Sequence, residues 1–311
     1  MNPEPPRGER DPLDAWREWG NREPVPFFQT LEWAELIARH CPRYELCPIA
    51  GSGFLIPLMR QRRWRGLADS YYGLPLMTSG GVLLEREADQ AIWTRAYQAL
   101  SDLRAAALTV VFPPGESPPP SDWFEWEEGS THLIPLEGGW ESVWARFLQR
   151  GRTATRKAET VGVVARRDHS ETAMQAHWEI IRSHLPEWGL DPAPTPDLVR
   201  DALRTSAGRL YLAEHEGRVV VTVLVFARGR EVFFWQGARV AADPPPGATN
   251  LLYARVLEDA CAEGIERANL GASLGNPDIE KFKESLGGVK TPFRILKKTH
   301  SLVKWGRYIF R

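Results

Sequence analysis

One order of local patterns occurs twice along this chain, and that order restricts the fold more than any single motif does. Each half reads as a helix, a hairpin, a strand, a turn, a second helix, a short strand, a loop and a last strand. Residues 45–60 correspond in this order to 210–227, and 108–113 to 267–273. The repetition is one of element order, not of residues. Hairpins followed by a helix that crosses to a further strand predict an α/β (α+β) sheet domain used twice. The expected domains are residues 25–137 and 138–311, behind a loose tail at 1–24.

Local signals support this division. Thr30 precedes an apolar face made by Trp33, Leu36 and Ile37, and so reads as a helix N-cap. Gly51-Ser52-Gly53 marks a hairpin, residues 88–107 have helical spacing, and Pro113-Pro114-Gly115 ends a short apolar strand at 108–112. In the second half a single helix is expected over 140–160 and a strand over 162–167. A hairpin comes next across His215-Glu216-Gly217, then a strand over 231–240. Asp243-Pro244-Pro245-Pro246-Gly247 breaks that strand before a long helix at 248–263, which Gly264 caps. A strand at 267–271, a short helix at 277–286 and a strand at 291–297 complete the pattern.

Composition excludes several classes. Among 311 residues, 39 basic against 40 acidic side chains leave a net charge of −1, which is not that of a general DNA binder. The sum conceals a gradient: residues 1–140 hold 13 basic and 20 acidic residues, whereas 281–311 hold 9 basic residues and the single acid Glu284. With 13 Trp, 12 Phe and 7 Tyr the chain has too much large apolar surface for a disordered one. Cys41, Cys47 and Cys261 make neither a disulfide scaffold nor a zinc set and read as small buried hydrophobes. No metal site is expected; the seven histidines are scattered, and His177 with His184 is a poor pair. No signal peptide and no apolar run of membrane-spanning length is read, so a reducing, cytoplasmic location is expected.

Taken together, several stretches resemble a known family. They are Gln29-Thr30-Leu31-Glu32-Trp33, the basic run Arg152-Thr153-Ala154-Thr155-Arg156-Lys157-Ala158, and Ala248-Thr249-Asn250-Leu251-Leu252. Last come Asn269-Leu270-Gly271-Ala272-Ser273 and Phe282-Lys283-Glu284-Ser285-Leu286-Gly287-Gly288. In that order they resemble the FemAB-type branch of the GNAT acyltransferases over residues 27–296. The resemblance implies two tandem GNAT-like domains and transfer of an aminoacyl or acyl group onto an amine. The donor would be a charged tRNA or an acyl-coenzyme A, with no permanently bound cofactor. The first domain is expected on the acceptor side, with a cell-envelope precursor as an open choice of acceptor.

The same resemblance implies roles for residues. Lys283 would stabilise developing negative charge beside the reacting carbonyl, and Phe282 would shape the channel. Arg152 and Arg156, one helical turn apart, would hold a phosphate. Gly247, Thr249 and Asn250 occupy the turn where GNAT domains cradle a pyrophosphate on backbone N–H groups, although three prolines just upstream carry no N–H. Trp33 would contact substrate. The chain lacks the lysine that Fem enzymes acting on nucleotide-linked peptides carry soon after that Trp.

Asp243, Glu214 and Tyr253 are the acid–base candidates. The segment 297–311 interleaves Lys and Arg with Trp305, Tyr308 and Phe310. It fits the inner face of an anionic membrane or tRNA phosphates, and equally a terminal helix packed by Leu302, Trp305 and Ile309. Acyl-coenzyme A dependence is the alternative enzyme reading. A degenerate, non-catalytic pair that only binds a partner is the alternative outside enzymes.

Overall fold

The computed structural model describes residues 11–21, 25–63, 68–76, 78–85, 89–190, 193–240, 244–273 and 275–299. Helices and strands are interspersed along the chain. The first stretch runs α1 (Pro12–Gly20), α2 (Leu31–His40), β1 (Tyr44–Leu46), β2 (Ile49–Gly51), β3 (Phe54–Ile56), β4 (Met59–Arg63), β5 (Ala68–Gly73), β6 (Leu83–Leu84), α3 (Gln90–Ser101), β7 (Ala105–Val111) and β8 (Glu125–Pro135). Then come α4 (Gly139–Arg146), α5 (Gln149–Thr160), β9 (Val164–Arg167), α6 (Glu171–Arg182), α7 (Leu185–Trp188), α8 (Pro196–Leu203), β10 (Gly208–His215), β11 (Arg218–Arg228) and β12 (Glu231–Arg239). The chain continues through α9 (Ala248–Ala262), β13 (Arg267–Ala272), α10 (Pro277–Ser285) and β14 (Val289–Thr299).

Contacts divide this chain into two compact units. The second is Gly129–Pro292, and the first combines the chain up to Glu128 with the chain from Phe293 onward. The boundaries therefore differ from the expected 25–137 and 138–311, because the C-terminal part of β14 pairs with β7 from Ile295↔Val111 to Thr299↔Ala107. The expected tail also contains structure. Asp11 caps α1, Trp16 is fully buried, and its indole N–H donates to the Gln29 carbonyl at 2.8 Å. Large apolar burial outweighs the polar, proline-rich composition that suggested a loose segment.

In the first unit β5 lies between β4, antiparallel, and β7, parallel. Helix α3 supplies Ala96, Tyr97 and Leu100 to a core with Leu58, Tyr71, Leu108, Val110 and Phe112. The Thr30 cap forms as expected, its hydroxyl accepting from the Trp33 N–H at 3.4 Å.

In the second unit the strands run in the order β8, β13, β12, β11, β10, β9, with β12 and β13 parallel and the other pairs antiparallel. β11 is buried from Val220 to Ala227 without alternation, since helices cover both of its faces. Val143 and Phe147 of the α4 region, Ala158 of α5, and Leu252, Val256 and Leu257 of α9 join the core with Val221, Val223, Val225, Val232 and Ala268. Helices α6 and α8 pack against the β10–β12 strands. The single helix expected over 140–160 is two helices. Phe147 leaves helical geometry (φ −57°, ψ 134°) with its ring buried, and Leu148 is the N-cap of α5.

Candidate active site

Strands β12 and β13 part company early. Only Glu231↔Arg267, Val232↔Ala268 and Phe233↔Asn269 pair, while β12 continues to Arg239. Just beyond that point β12 carries a bulge. Leu224 faces Gln236 and Val225 faces Phe234, leaving Trp235 as the extra residue. β13 is bulged as well, between Asn269 and Ala272 in its pairing with β8, where Gly271 takes φ +73°. A Cβ at Gly271 would lie 3.3 Å from the Phe234 carbonyl oxygen. The Asn269 carboxamide oxygen accepts from the Thr131 hydroxyl at 2.7 Å and from the Gly271 N–H at 3.1 Å, which holds this kink in shape.

Lys283 closes the end of β13. Helix α10 begins with Pro277 behind an Asn276 cap, whose side chain accepts from Asp278 N–H and Ile279 N–H. Two turns later the Lys283 side chain is buried, at 4% exposure, and its ammonium donates to the Gly271 carbonyl at 2.7 Å and the Ala272 carbonyl at 3.0 Å. An ammonium has three N–H donors, so one remains for a ligand. Burial pushes the Lys283 pKa down to about 8, with Glu280 opposing the shift.

An aromatic wall stands beside it. Tyr253 of α9 stacks on Phe234 at 4.7 Å between ring centres and meets Phe282 edge-on at 5.1 Å. Its hydroxyl oxygen would be 2.7 Å from a Cβ on Gly237, so Gly237 provides the space the phenol occupies. Burial pushes the Tyr253 pKa up to about 12, which keeps it a proton donor at neutral pH.

The structure thus brings Phe282, Lys283 and Tyr253 together and places the other expected residues elsewhere. Arg152 caps α4: its guanidinium donates to the Ala145 carbonyl at 3.3 Å and to the Phe147 carbonyl. Arg156 lies over the Trp144 ring at 5.7 Å. Arg152 thus serves as a helix cap and Arg156 makes a cation–π contact, because the break after α4 exposes carbonyls that need donors. Trp33 is 0% exposed, packed with Phe27 and Phe28, and its indole N–H donates to the Thr78 hydroxyl at 3.3 Å; it is a core residue of the first unit rather than a substrate contact.

Gly247 does cap α9, at φ +83°, with Thr249 and Asn250 in the first turn. A Cβ there would collide with the Ala154 carbonyl oxygen, so this end of α9 rests on the backbone of α5. Gly151 brings the start of α5 comparably close to the Ser285 carbonyl of α10, where a Cβ would also collide. An open cavity of about 640 Å³ near the Gly247 turn is lined by Val161, His215, Arg218 and Pro244–Pro246, and none of the residues around Lys283 lines it. Glu214 is paired with Arg166 at 2.7 Å on β10. Asp243 lies outside the described residues, as do Leu302, Trp305 and Ile309.

Sequence reasoning passed over His132, one histidine in a strand with no motif around it. It is 0% exposed, and neither ring nitrogen has a hydrogen-bond partner among the described residues. His177 is also fully buried, its Nδ1 2.6 Å from the Thr222 hydroxyl, and burial pushes its pKa down to about 4. Among the described residues no three His, Cys, Asp or Glu side chains gather as metal ligands, and no helix is long and apolar enough to cross a membrane.

Residues 145–284, which run from α4 through α10, match the acetyltransferase (GNAT) domain family. Over these residues the second unit is similar to a GNAT acetyltransferase domain. Solved structures with the same overall fold extend over nearly the whole chain. FemX is 12% identical, with 91% of this chain and 95% of that one covered and a TM-score of 0.69. A C-terminal domain assigned to a lysylphosphatidylglycerol synthetase of Agrobacterium fabrum is 12% identical, covers 96% and 95% respectively, and scores 0.61. L-PGS from Bacillus licheniformis is 11% identical, covers 93% and 96%, and scores 0.55. No curated protein matches the sequence. The FemAB-type resemblance therefore holds at the level of fold, and the GNAT domain calls for an acyl donor and an acceptor.

Proposed function

We propose that this chain transfers an aminoacyl group from an activated ester onto an amine acceptor, with charged tRNA as donor. One observation carries the reading: the buried Lys283 ammonium, bonded to two carbonyls and, among the described residues, to no carboxylate, keeps one N–H free beside the parted strands β12 and β13. The attacking amine nitrogen forms a bond to the carbonyl carbon, and the carbonyl oxygen takes up negative charge. The free N–H of Lys283 stabilises that oxygen. Collapse breaks the bond to the leaving oxygen, which gains a proton from the Tyr253 hydroxyl; the proton lost by the amine restores the phenol. Phe282 and Phe234 keep water from this step.

The choice of donor rests on the α9 end. The Ala154 carbonyl lies against Gly247, and Pro244–Pro246 offer no N–H, so a coenzyme A pyrophosphate has little to bind there. The similar fold of a lysylphosphatidylglycerol synthetase, a protein named for an aminoacylated lipid, supports the same choice. We place the acceptor, of cell-envelope precursor type, on the side of the first unit. The protein would meet it in the cytoplasm at the inner membrane face, consistent with the basic stretch 281–311.

Thermal midpoints and product formation are to be measured with charged tRNA, acetyl-coenzyme A and a long-chain acyl-coenzyme A. The proposal expects a raised midpoint and transfer with charged tRNA alone. A shift with coenzyme A thioesters only would overturn the donor assignment. No transfer from any donor, together with binding of an envelope peptide, would make the protein a binding module.

A further inference from the structure

His132 sits on β8, two residues before the core residue Ile134, and so faces the same side of the strand as the helices of that core. The turn from α10 to β14 lies directly on it. A Cβ at Gly288 would be 3.2 Å from the His132 Cβ and 2.7 Å from the Lys283 carbonyl oxygen, so only glycine lets the turn close over the imidazole beside the helix that carries Lys283. The Ser273 hydroxyl, just past the two carbonyls that hold the ammonium, is likewise buried without a partner among the described residues. Three buried polar side chains thus gather around the bulge of β13. The charged groups that act on His132 are Lys283, Glu280 and Glu284 from α10 and Lys290 from β14; Glu280 is tied to Lys290 at 2.9 Å.

A buried polar group left unpaired costs free energy, so an unpartnered imidazole needs a reason to be there. The neighbourhood of a reacting ammonium has conflicting needs. A carboxylate at this position would pair with Lys283 and occupy its last N–H. An apolar side chain would deepen the desolvation of the ammonium and favour its neutral form. A neutral imidazole is polar without bearing an opposite charge.

From this arrangement we infer that His132 is a positioning residue for Lys283: the neutral ring supports the charged ammonium while leaving its third N–H to the substrate oxygen. The inference rests on the proposed role of Lys283. His132 itself has no exposed surface and acts only through that lysine. Burial and the Lys283 charge both lower the pKa of His132, in keeping with a ring that stays neutral at the pH of the reaction.

The test combines a direct titration with turnover. The Lys283 ammonium is followed by NMR in the full chain for the native protein and for His132→Asn, His132→Phe and His132→Asp, each verified as folded by its thermal midpoint. The expected result is a Lys283 pKa close to native in His132→Asn. It falls by about one unit in His132→Phe and rises by about one unit in His132→Asp. Turnover of charged tRNA should be retained within about threefold in His132→Asn. Its alkaline limb should move with the Lys283 pKa in the other two, with KM little changed. A Lys283 pKa that is the same in all four proteins overturns the inference. Movement of that pKa without turnover in any of them upholds the positioning and refutes the acyl-transfer reading, so the two failures are distinct. Should His132→Phe or His132→Asp not fold, His132→Gln and His132→Leu make the same polar–apolar comparison.

Discussion

The two units treat buried polarity differently. In the first, Gln29 donates to the Gly80 carbonyl at 3.0 Å, Thr30 to Phe27 at 2.7 Å and Thr78 to Pro75 at 2.9 Å, and among the described residues Arg60 Nε alone is buried without a partner. In the second, His132, Gln236 and Ser273 are buried with side-chain atoms unpartnered among the described residues, and Lys283 holds a spare donor. A unit that satisfies its interior is built for stability; one that leaves polar atoms waiting is built around something that arrives. The contrast runs in the same direction as the acetyltransferase-domain match, which also falls in the second unit.

Four substitutions break or sharpen this contrast. The largest effect is expected from Trp33→Ala, which empties a fully buried site and should cost about 3–5 kcal/mol of stability in denaturant titration. If it instead lowers turnover with stability intact, the first unit holds a substrate contact after all. Lys283→Met comes next. Transfer should drop by about a hundredfold or more, while the thermal midpoint should stay near native below pH 8, where the native protein bears the full cost of burying a charged lysine. The sign comes from its depressed pKa: the unfolded chain binds the proton more tightly, so native stability rises with pH between about 8 and the ordinary value of 10.5. Lys283→Met should lose that rise.

His177 gives a third, smaller signal. Its folded pKa, about 4, lies below its ordinary 6.5, so it contributes stability that is present above pH 6.5 and lost as the pH falls toward 4. His177→Gln should flatten the stability–pH curve in that window; an unchanged curve would show that the ring reaches water. The smallest effect belongs to Glu216, which sits in the exposed β10–β11 turn at φ +50° beside Gly217. Glu216→Gly should raise stability by about 1 kcal/mol by relieving left-handed strain.

Much of the architecture was legible because short-range chemistry wrote it. The Thr30 cap, the Pro277 start of α10, the hairpin at Gly51–Gly53 and the left-handed Gly264 after α9 each arise from one or two residues and a backbone preference. Lys283 and Phe282 were legible only through their order among other motifs. The errors have a common cause. Trp33 was misjudged because a tryptophan in a sequence does not say whether its ring meets a ligand or a core, and Trp16 lay in a stretch read only as a loose tail. The cap that Arg152 makes was not legible because a guanidinium one turn from another can serve a phosphate or the carbonyls of a broken helix, and that break at Phe147 is a packing decision.

By itself, then, the sequence determined the repeated element order, the α/β class, the punctuation by glycine and proline, and the basic bias toward the C-terminal end. Tertiary structure decided which buried polar groups remain unsatisfied. It put a bulge in β12 at Trp235 and another in β13 at Gly271, and it laid the α10–β14 turn over His132. The physical reason is distance along the chain. Caps and turns depend on neighbours a few residues apart, whereas the site joins Thr131 to Asn269 and Lys283 to Gly271 through contacts that exist only after the strands have paired.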